Sequence, residues 1–168
     1  MKITIPLVLL FMLSNSVVAE RAKEVLPDYQ APKVVYDFYL DDPAKLDSAL
    51  YWIRALMNPL TESPYDMAPE FMDIKVVIHG TEIVTLAKKN YEKYRDQVER
   101  MRYYHTLGVE FKVCGLAARD FGYVVDDFQP FIEIVPSAFT ELVHWQQQGY
   151  ALIVPQVFIR TQALEDIR

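Results

Sequence analysis

Short apolar runs alternate along the chain with stretches of helical periodicity. Five runs are rich in Val, Ile, Phe and Tyr and are bounded by Gly, Pro or Asp, which is typical of β-strands. They cover residues 33–40, 73–79, 109–113, 131–135 and 150–154. The second run contains Val76, Val77 and Ile78 in succession, a pattern that suits a strand buried on both faces.

Helices are predicted between these runs from the 3.6-residue spacing of apolar positions. Asp42-Pro43 predicts the start of the first helix, because Asp caps free N–H groups and Pro needs no hydrogen bond there. Asn58-Pro59 predicts its end, and Pro59 opens a proline-rich loop over 58–70. Ser137 is the predicted N-cap of the last helix. The predicted helices cover 42–58, 81–89, 91–107, 116–121 and 137–148.

The alternation of strands and helices indicates the fold class. Strands that are joined by helices pair in parallel, and the helices cover both faces of the sheet. We therefore predict one three-layer α/β/α domain over 33–155 with a mostly parallel five-stranded sheet.

The two ends of the chain are predicted to lie outside this domain. Residues 1–19 have a basic residue, an apolar core and small residues before Ala19, the layout of a secretory signal peptide. The apolar core is too short to span a bilayer, which takes roughly 20 residues. We expect an exported, periplasmic protein with no membrane attachment after cleavage. Residues 20–32 are predicted to form a loose arm and 156–168 a partly apolar tail.

Composition and net charge limit the classes of binding partner that we expect. The chain carries 17 basic and 23 acidic residues, for a net charge of −6. Nucleic-acid binding needs clustered Lys and Arg, so a nucleic-acid partner is not expected. There is one cysteine, Cys114, which cannot form an intramolecular disulfide. A single thiol in an exported protein indicates an intermolecular disulfide, a reactive group or an inert apolar side chain, and all three interpretations are open.

The position of Cys114 favours the reactive reading. It ends the third predicted strand and precedes a helix, and ligands of open α/β sheets bind at the carboxyl ends of strands. A thiolate at a helix N-terminus is stabilised by the helix dipole and free N–H groups, so we expect an exposed, activated thiol. Gly115 would leave the backbone open to an approaching sulfur, and Arg119 would add positive charge one turn later.

A second candidate, His79, ends the second predicted strand beside Gly80. It could act as a base, as a partner of the thiolate, or as a hydrogen-bonding group of the next loop. One cysteine and three scattered histidines do not predict a metal site. No glycine-rich phosphate loop follows the first strand, where Asp41-Asp42-Pro43 stands instead. No cofactor is expected.

Four segments resemble the DsrE/DsrF-like family of sulfur-relay proteins. Residues 114–122, CGLAARDFG, are similar to the segment around the sulfur-carrying cysteine of DsrE and TusD proteins. Residues 76–80, VVIHG, resemble the end of the second strand in exported DsrE-like proteins, and 134–142 and 148–153 resemble the last helix and strand of that group. The loop 58–70 and the tail depart from the family pattern.

The resemblance implies a DsrE/F-like sheet, a homotrimer or homohexamer, and a sulfur carrier or sulfurtransferase. It implies that Cys114 carries sulfane sulfur as a persulfide for a donor or acceptor protein, with His79 beside it in an unassigned role. Gly80, Gly115 and Arg119 are expected to line the ligand site. The alternative is a non-enzymatic periplasmic binding or interaction module in which Cys114 is structural.

Overall fold

Five strands form one sheet in which each neighbouring pair is parallel. The computed structural model describes residues 21–168. The strands are β1 (Lys33–Phe38), β2 (Asp73–Ile78), β3 (Glu110–Cys114), β4 (Ile132–Val135) and β5 (Ala151–Ile153). Their order in the sheet is β4-β3-β2-β1-β5. The predicted α/β fold with five strands is confirmed.

Helices cover both faces of this sheet. They are α1 (Leu46–Thr61), α2 (Arg95–Thr106), α3 (Gly115–Asp120) and α4 (Ala138–Gln147). Alternate side chains of a strand point to opposite faces. Tyr36 and its alternates pack in the larger cluster with α1, α2 and α3, whereas Val35 packs in a smaller cluster with α4. The side on which α4 packs is called the α4 face below.

The predicted end of the first helix at Asn58-Pro59 is wrong. α1 continues through Pro59 to Thr61, and the N–H of Glu62 still donates to the Asn58 carbonyl at 3.1 Å. A proline in the last turn removes one backbone donor but leaves the following bonds intact. The predicted cap is present, because the N–H of Ala44 donates to Asp42 Oδ1 at 2.8 Å. The first turn, Pro43–Lys45, is a 3₁₀ turn rather than α-helix.

The predicted helices over 81–107 begin and end elsewhere. Residues 81–86 and 88–90 form 3₁₀ turns, and α2 begins only at Arg95. Ala87 is extended and bridges to Phe128, which interrupts any continuous helix. The buried stripe of α2 includes Tyr104, not His105, which is exposed.

Among residues 21–168, the segments before β1 and after β5 contain no α-helix and no β-strand. Residues 21–32 form no helix or strand. The predicted signal peptide, 1–19, lies outside the described residues. Within 21–168, no helix combines the length and apolarity that a membrane crossing requires. In the tail, Val157 packs against the larger core cluster, whereas Phe158 and Ile159 are exposed.

Candidate functional site

The carboxyl ends of β2 and β3 bring the two sequence candidates together. Ile78 and Val113 are partners in the parallel register, so the next residues, His79 and Cys114, follow side by side. The ring of His79 contacts Phe139 of α4, and Cys114 packs in the α4 cluster. Both side chains therefore lie on the α4 face, as strand alternation requires.

Cys114 is the last residue of β3 and the N-cap of α3. Its Sγ accepts a hydrogen bond from the N–H of Ala117 at 3.5 Å. The predicted position before a helix is confirmed. The expectation of an exposed thiol is wrong for this conformation, because the residue is 5% exposed. It belongs to the buried cluster that also contains Val77 of β2 and Ala138, the first residue of α4.

His79 is held by a carboxylate and by two aromatic rings. Its Nε2 lies 2.6 Å from Asp37 Oδ1, and its side chain is 9% exposed. The Tyr39 ring stacks on the imidazole with centroids 4.8 Å apart, and Phe139 meets it edge-on at 5.7 Å. These contacts fix the plane of the imidazole. The available sequence signal for Asp37, which was missed, is a lone carboxylate inside an apolar strand.

A second missed carboxylate, Glu82, ties together the loops that follow β1 and β2. It is fully buried, and its two oxygens accept the N–H groups of Leu40 and Gly80, each at 3.0 Å. Burial raises its pKa above the ordinary value, although these hydrogen bonds act in the opposite direction. An acidic residue in a polar stretch is usually exposed, so the sequence gives no signal for this role.

The two glycines of the predicted site have packing roles. A Cβ on Gly80 would lie 2.5 Å from the Leu40 carbonyl oxygen, and one on Gly115 would lie 2.9 Å from that of Val135. Each glycine therefore allows close approach of a neighbouring backbone. Gly115 is buried, and the open space beside it is a cavity along α3 that Cys114 does not line.

A cleft of about 310 Å³ opens at the carboxyl edge of the sheet. It is formed by the segments that follow β1 and β2 and by one side of α3. Its lining residues are Tyr39, Leu40, Asp41, His79, Gly80, Thr81, Ala117, Asp120 and Phe121. Ala117 both lines the cleft and donates its N–H to Cys114, so the sulfur lies directly behind the cleft wall.

The five predicted site residues do not converge on one cavity. His79 and Gly80 share the cleft, whereas Gly115 and Arg119 line a separate cavity of about 190 Å³ beside α3. Cys114 lines neither of them. Across residues 21–168, no three His, Cys, Asp or Glu side chains are grouped as a metal ion would require.

The fold and the strand-end cleft define an open, parallel α/β protein with a cleft at the carboxyl ends of its strands. A sequence model of the DsrE/DsrF-like family matches residues 33–155, which include all five strands and all four helices. The chain therefore belongs to the DsrE/DsrF-like family. The fold alone is supported by a solved structure titled as a protein of unknown function, MTH1491, from Methanobacterium thermoautotrophicum. The two chains are 23% identical with a TM-score of 0.56, over 74% of this chain and 99% of that one. No curated protein is significantly similar in sequence.

Proposed function

We propose that this protein is an exported DsrE-like sulfur carrier, related to TusD, that holds sulfane sulfur as a persulfide on Cys114. Its family is related to sulfur-relay proteins in general. The observation that carries the proposal is the position of the thiol. Cys114 ends a central strand, caps α3 and accepts the N–H of Ala117, and His79 follows the neighbouring strand beside it.

The proposed chemistry exchanges one sulfur–sulfur bond for another. The Cys114 thiolate attacks the outer sulfur of a donor persulfide, R–S–SH. A new S–S bond forms on Cys114, the donor S–S bond breaks, and the electron pair leaves with R–S⁻. An acceptor thiolate then takes the outer sulfur in the same way and releases the Cys114 thiolate. No external oxidant or reductant is consumed, and the persulfide is a reversible cap.

Burial adds a condition to this proposal. Cys114 is covered by the start of α4 and by α3, so a donor reaches Sγ only when one of these short elements moves. α3 has six residues, and short helices have little stability of their own. We propose that a local opening at this edge admits the donor.

Mass spectrometry after exposure to polysulfide tests the proposal. The native protein should gain about 32 Da, the mass of one sulfur atom, and dithiothreitol should remove it. Cys114→Ser should remain folded and gain nothing. Uptake by native protein that equals uptake by Cys114→Ser would refute the carrier function.

A second function, a binding module, is favoured by the contrast between the buried thiol and the open cleft. Under this proposal the cleft beside His79 holds a ligand, and Cys114 fills space as a small apolar side chain. It predicts that Cys114 reacts with iodoacetamide only when the whole protein is unfolded.

Export to the periplasm and assembly into a homotrimer or homohexamer are also proposed. The residue pattern of 1–19 supports export. The exposed apolar side chains of Phe158 and Ile159, together with Val124 and Val125, support contacts between copies. Intact mass of protein from its native host should show Glu20 as the first residue, and light scattering should give several protomer masses. A stable monomer that retains Met1 would contradict both.

A further inference from the structure

The imidazole of His79 has one nitrogen bound and one free. Nε2 is engaged by Asp37, and no residue within 21–168 forms a hydrogen bond with Nδ1. Because the carboxylate favours hydrogen on Nε2, the neutral ring carries its lone pair on Nδ1. The side chain is more than nine-tenths buried and also lines the cleft. Because solvent reaches Nδ1, this fixed ring can accept a hydrogen bond from a small molecule in the cleft.

The charge of the cleft selects what can enter. Its lining includes the carboxylates of Asp41 and Asp120 and no lysine or arginine. Asp41 pairs at 2.7 Å with Lys45, which does not line the cleft. Asp120 forms no salt bridge with residues 21–168, so its charge is not offset in this way. An anion would therefore meet like charge at the cleft, whereas a cation would be attracted.

Aromatic surface completes the cleft. Tyr39 and Phe121 are both exposed and line it from opposite segments. The faces of such rings attract organic cations and cover short alkyl chains. A volume of about 310 Å³ suits a small molecule.

We propose that this cleft binds a small organic cation of the aminothiol type, free or as its persulfide. The ammonium group lies toward Asp41 and Asp120, and the S–H group donates to His79 Nδ1. The assignment of the thiol end rests on the proposed sulfur transfer, since a ligand held there would lie against the Ala117 wall, behind which Cys114 sits. The assignment of the cationic end rests on the cleft alone.

The experiment measures binding by imidazole NMR shifts of His79 in the full chain under reducing conditions. The probes are cysteamine, ethanolamine and 3-mercaptopropionate. We expect cysteamine to bind at least about tenfold more tightly than 3-mercaptopropionate, with the difference shrinking at high salt. Asp41→Asn/Asp120→Asn should remove the preference, and Asp96→Asn, an exposed carboxylate on α2, should leave it unchanged.

The outcomes separate this inference from the proposed function. Cysteamine that binds no better than 3-mercaptopropionate overturns the cationic site, whatever Cys114 does with polysulfide. Ethanolamine that binds as well as cysteamine overturns the thiol end. Because Cys114 does not line the cleft, Cys114→Ser should bind cysteamine normally. That binding together with no sulfur uptake by native protein would refute the carrier and leave the cation site standing.

Discussion

The α4 face has an amino end and a carboxyl end, which are defined by the direction of the parallel strands. The two ends differ in how many partners their charged groups have. At the amino end, Lys75 and Lys112 are 6% and 5% exposed, yet each meets at least two carboxylates. Lys112 pairs with Glu133 and, at 3.0 Å, with Glu110, and its ammonium group lies 5.6 Å from the Trp145 ring centroid. At the carboxyl end, His79 has one carboxylate partner and a second nitrogen that no residue of 21–168 hydrogen-bonds.

This difference distinguishes charged side chains that stabilise the fold from a side chain that can also bind a ligand. A buried ammonium group surrounded by carboxylates has no capacity left for a ligand, and its removal leaves uncompensated charge. An imidazole with one unused nitrogen can bind something further. The exposed fractions of the side chains are close, at 9% for His79 and 7% for each lysine, so burial alone does not distinguish them. What distinguishes the lysines from His79 is the number of hydrogen-bonding positions that already have a partner.

The largest expected effect comes from breaking the amino-end network. Lys112→Met keeps most of the side-chain volume but leaves Glu133 without its cation and Glu110 with Lys75 alone. A buried pair broken on one side costs about 3–5 kcal/mol, and the partial exposure of both glutamates reduces this to about 2–3 kcal/mol. Urea unfolding should show this loss.

The matched control for that variant is Lys88→Met, because Lys88 is solvent-exposed and donates to the Asp126 backbone carbonyl rather than to a carboxylate. We expect it to change stability by less than about 0.5 kcal/mol. Lys112→Met should leave the NMR shifts of His79 nearly unchanged. A variant that instead lost cysteamine binding at full stability would show that the amino end belongs to the site.

The next effect is a pH dependence that originates at the amino end. Burial disfavours the charged form of Glu110, but hydrogen bonds from Lys75 and Lys112 outweigh it, so its pKa is lowered. A lowered pKa contributes stability above the ordinary Glu value of about 4.3, and that stability is lost as pH falls through the folded value. Glu110→Gln should therefore flatten the acid side of the stability curve, by on the order of 1 kcal/mol.

The matching control is Glu165→Gln in the exposed tail, a carboxylate without a salt bridge among the described residues. Its stability curve should overlay that of the unmodified protein between pH 7 and pH 3. If Glu110→Gln also overlays it, the amino-end network does not set the acid stability of the fold.

Sequence reasoning reached the strands, their parallel pairing and the position of Cys114 before a helix because these depend on local patterns. Apolar runs mark the strands, and Ser137 and Asp42 each accept the predicted capping N–H. It missed Asp37 and Glu82, since their roles depend on partners 42 residues away in both cases. It also expected an exposed thiol, because the covering by α4 is a tertiary contact that no local pattern encodes.

The smallest effect tests how the buried thiol is reached. Ser137 Oγ accepts the N–H of Phe139 at 3.3 Å and caps α4, whose first residue, Ala138, packs beside Cys114. Ser137→Ala removes this cap at a cost of about 1 kcal/mol. If Cys114 becomes accessible by fraying of the start of α4, its alkylation by iodoacetamide should accelerate by roughly fivefold, because the open fraction rises with that free energy.

Asp42→Ala is the matched control for this last measurement. It removes a cap of the same kind, since Asp42 Oδ1 accepts the N–H of Ala44 at 2.8 Å, but in the 3₁₀ turn that leads into α1, whose buried side chains belong to the other cluster. If both variants lose similar stability and only Ser137→Ala reacts faster, the thiol is reached through local opening at α4. If both react faster in proportion to lost stability, Cys114 reacts only through global unfolding. The carboxyl end would then resemble the amino end at this residue, with a side chain that serves the fold alone, and the binding-module function would be preferred over the sulfur carrier.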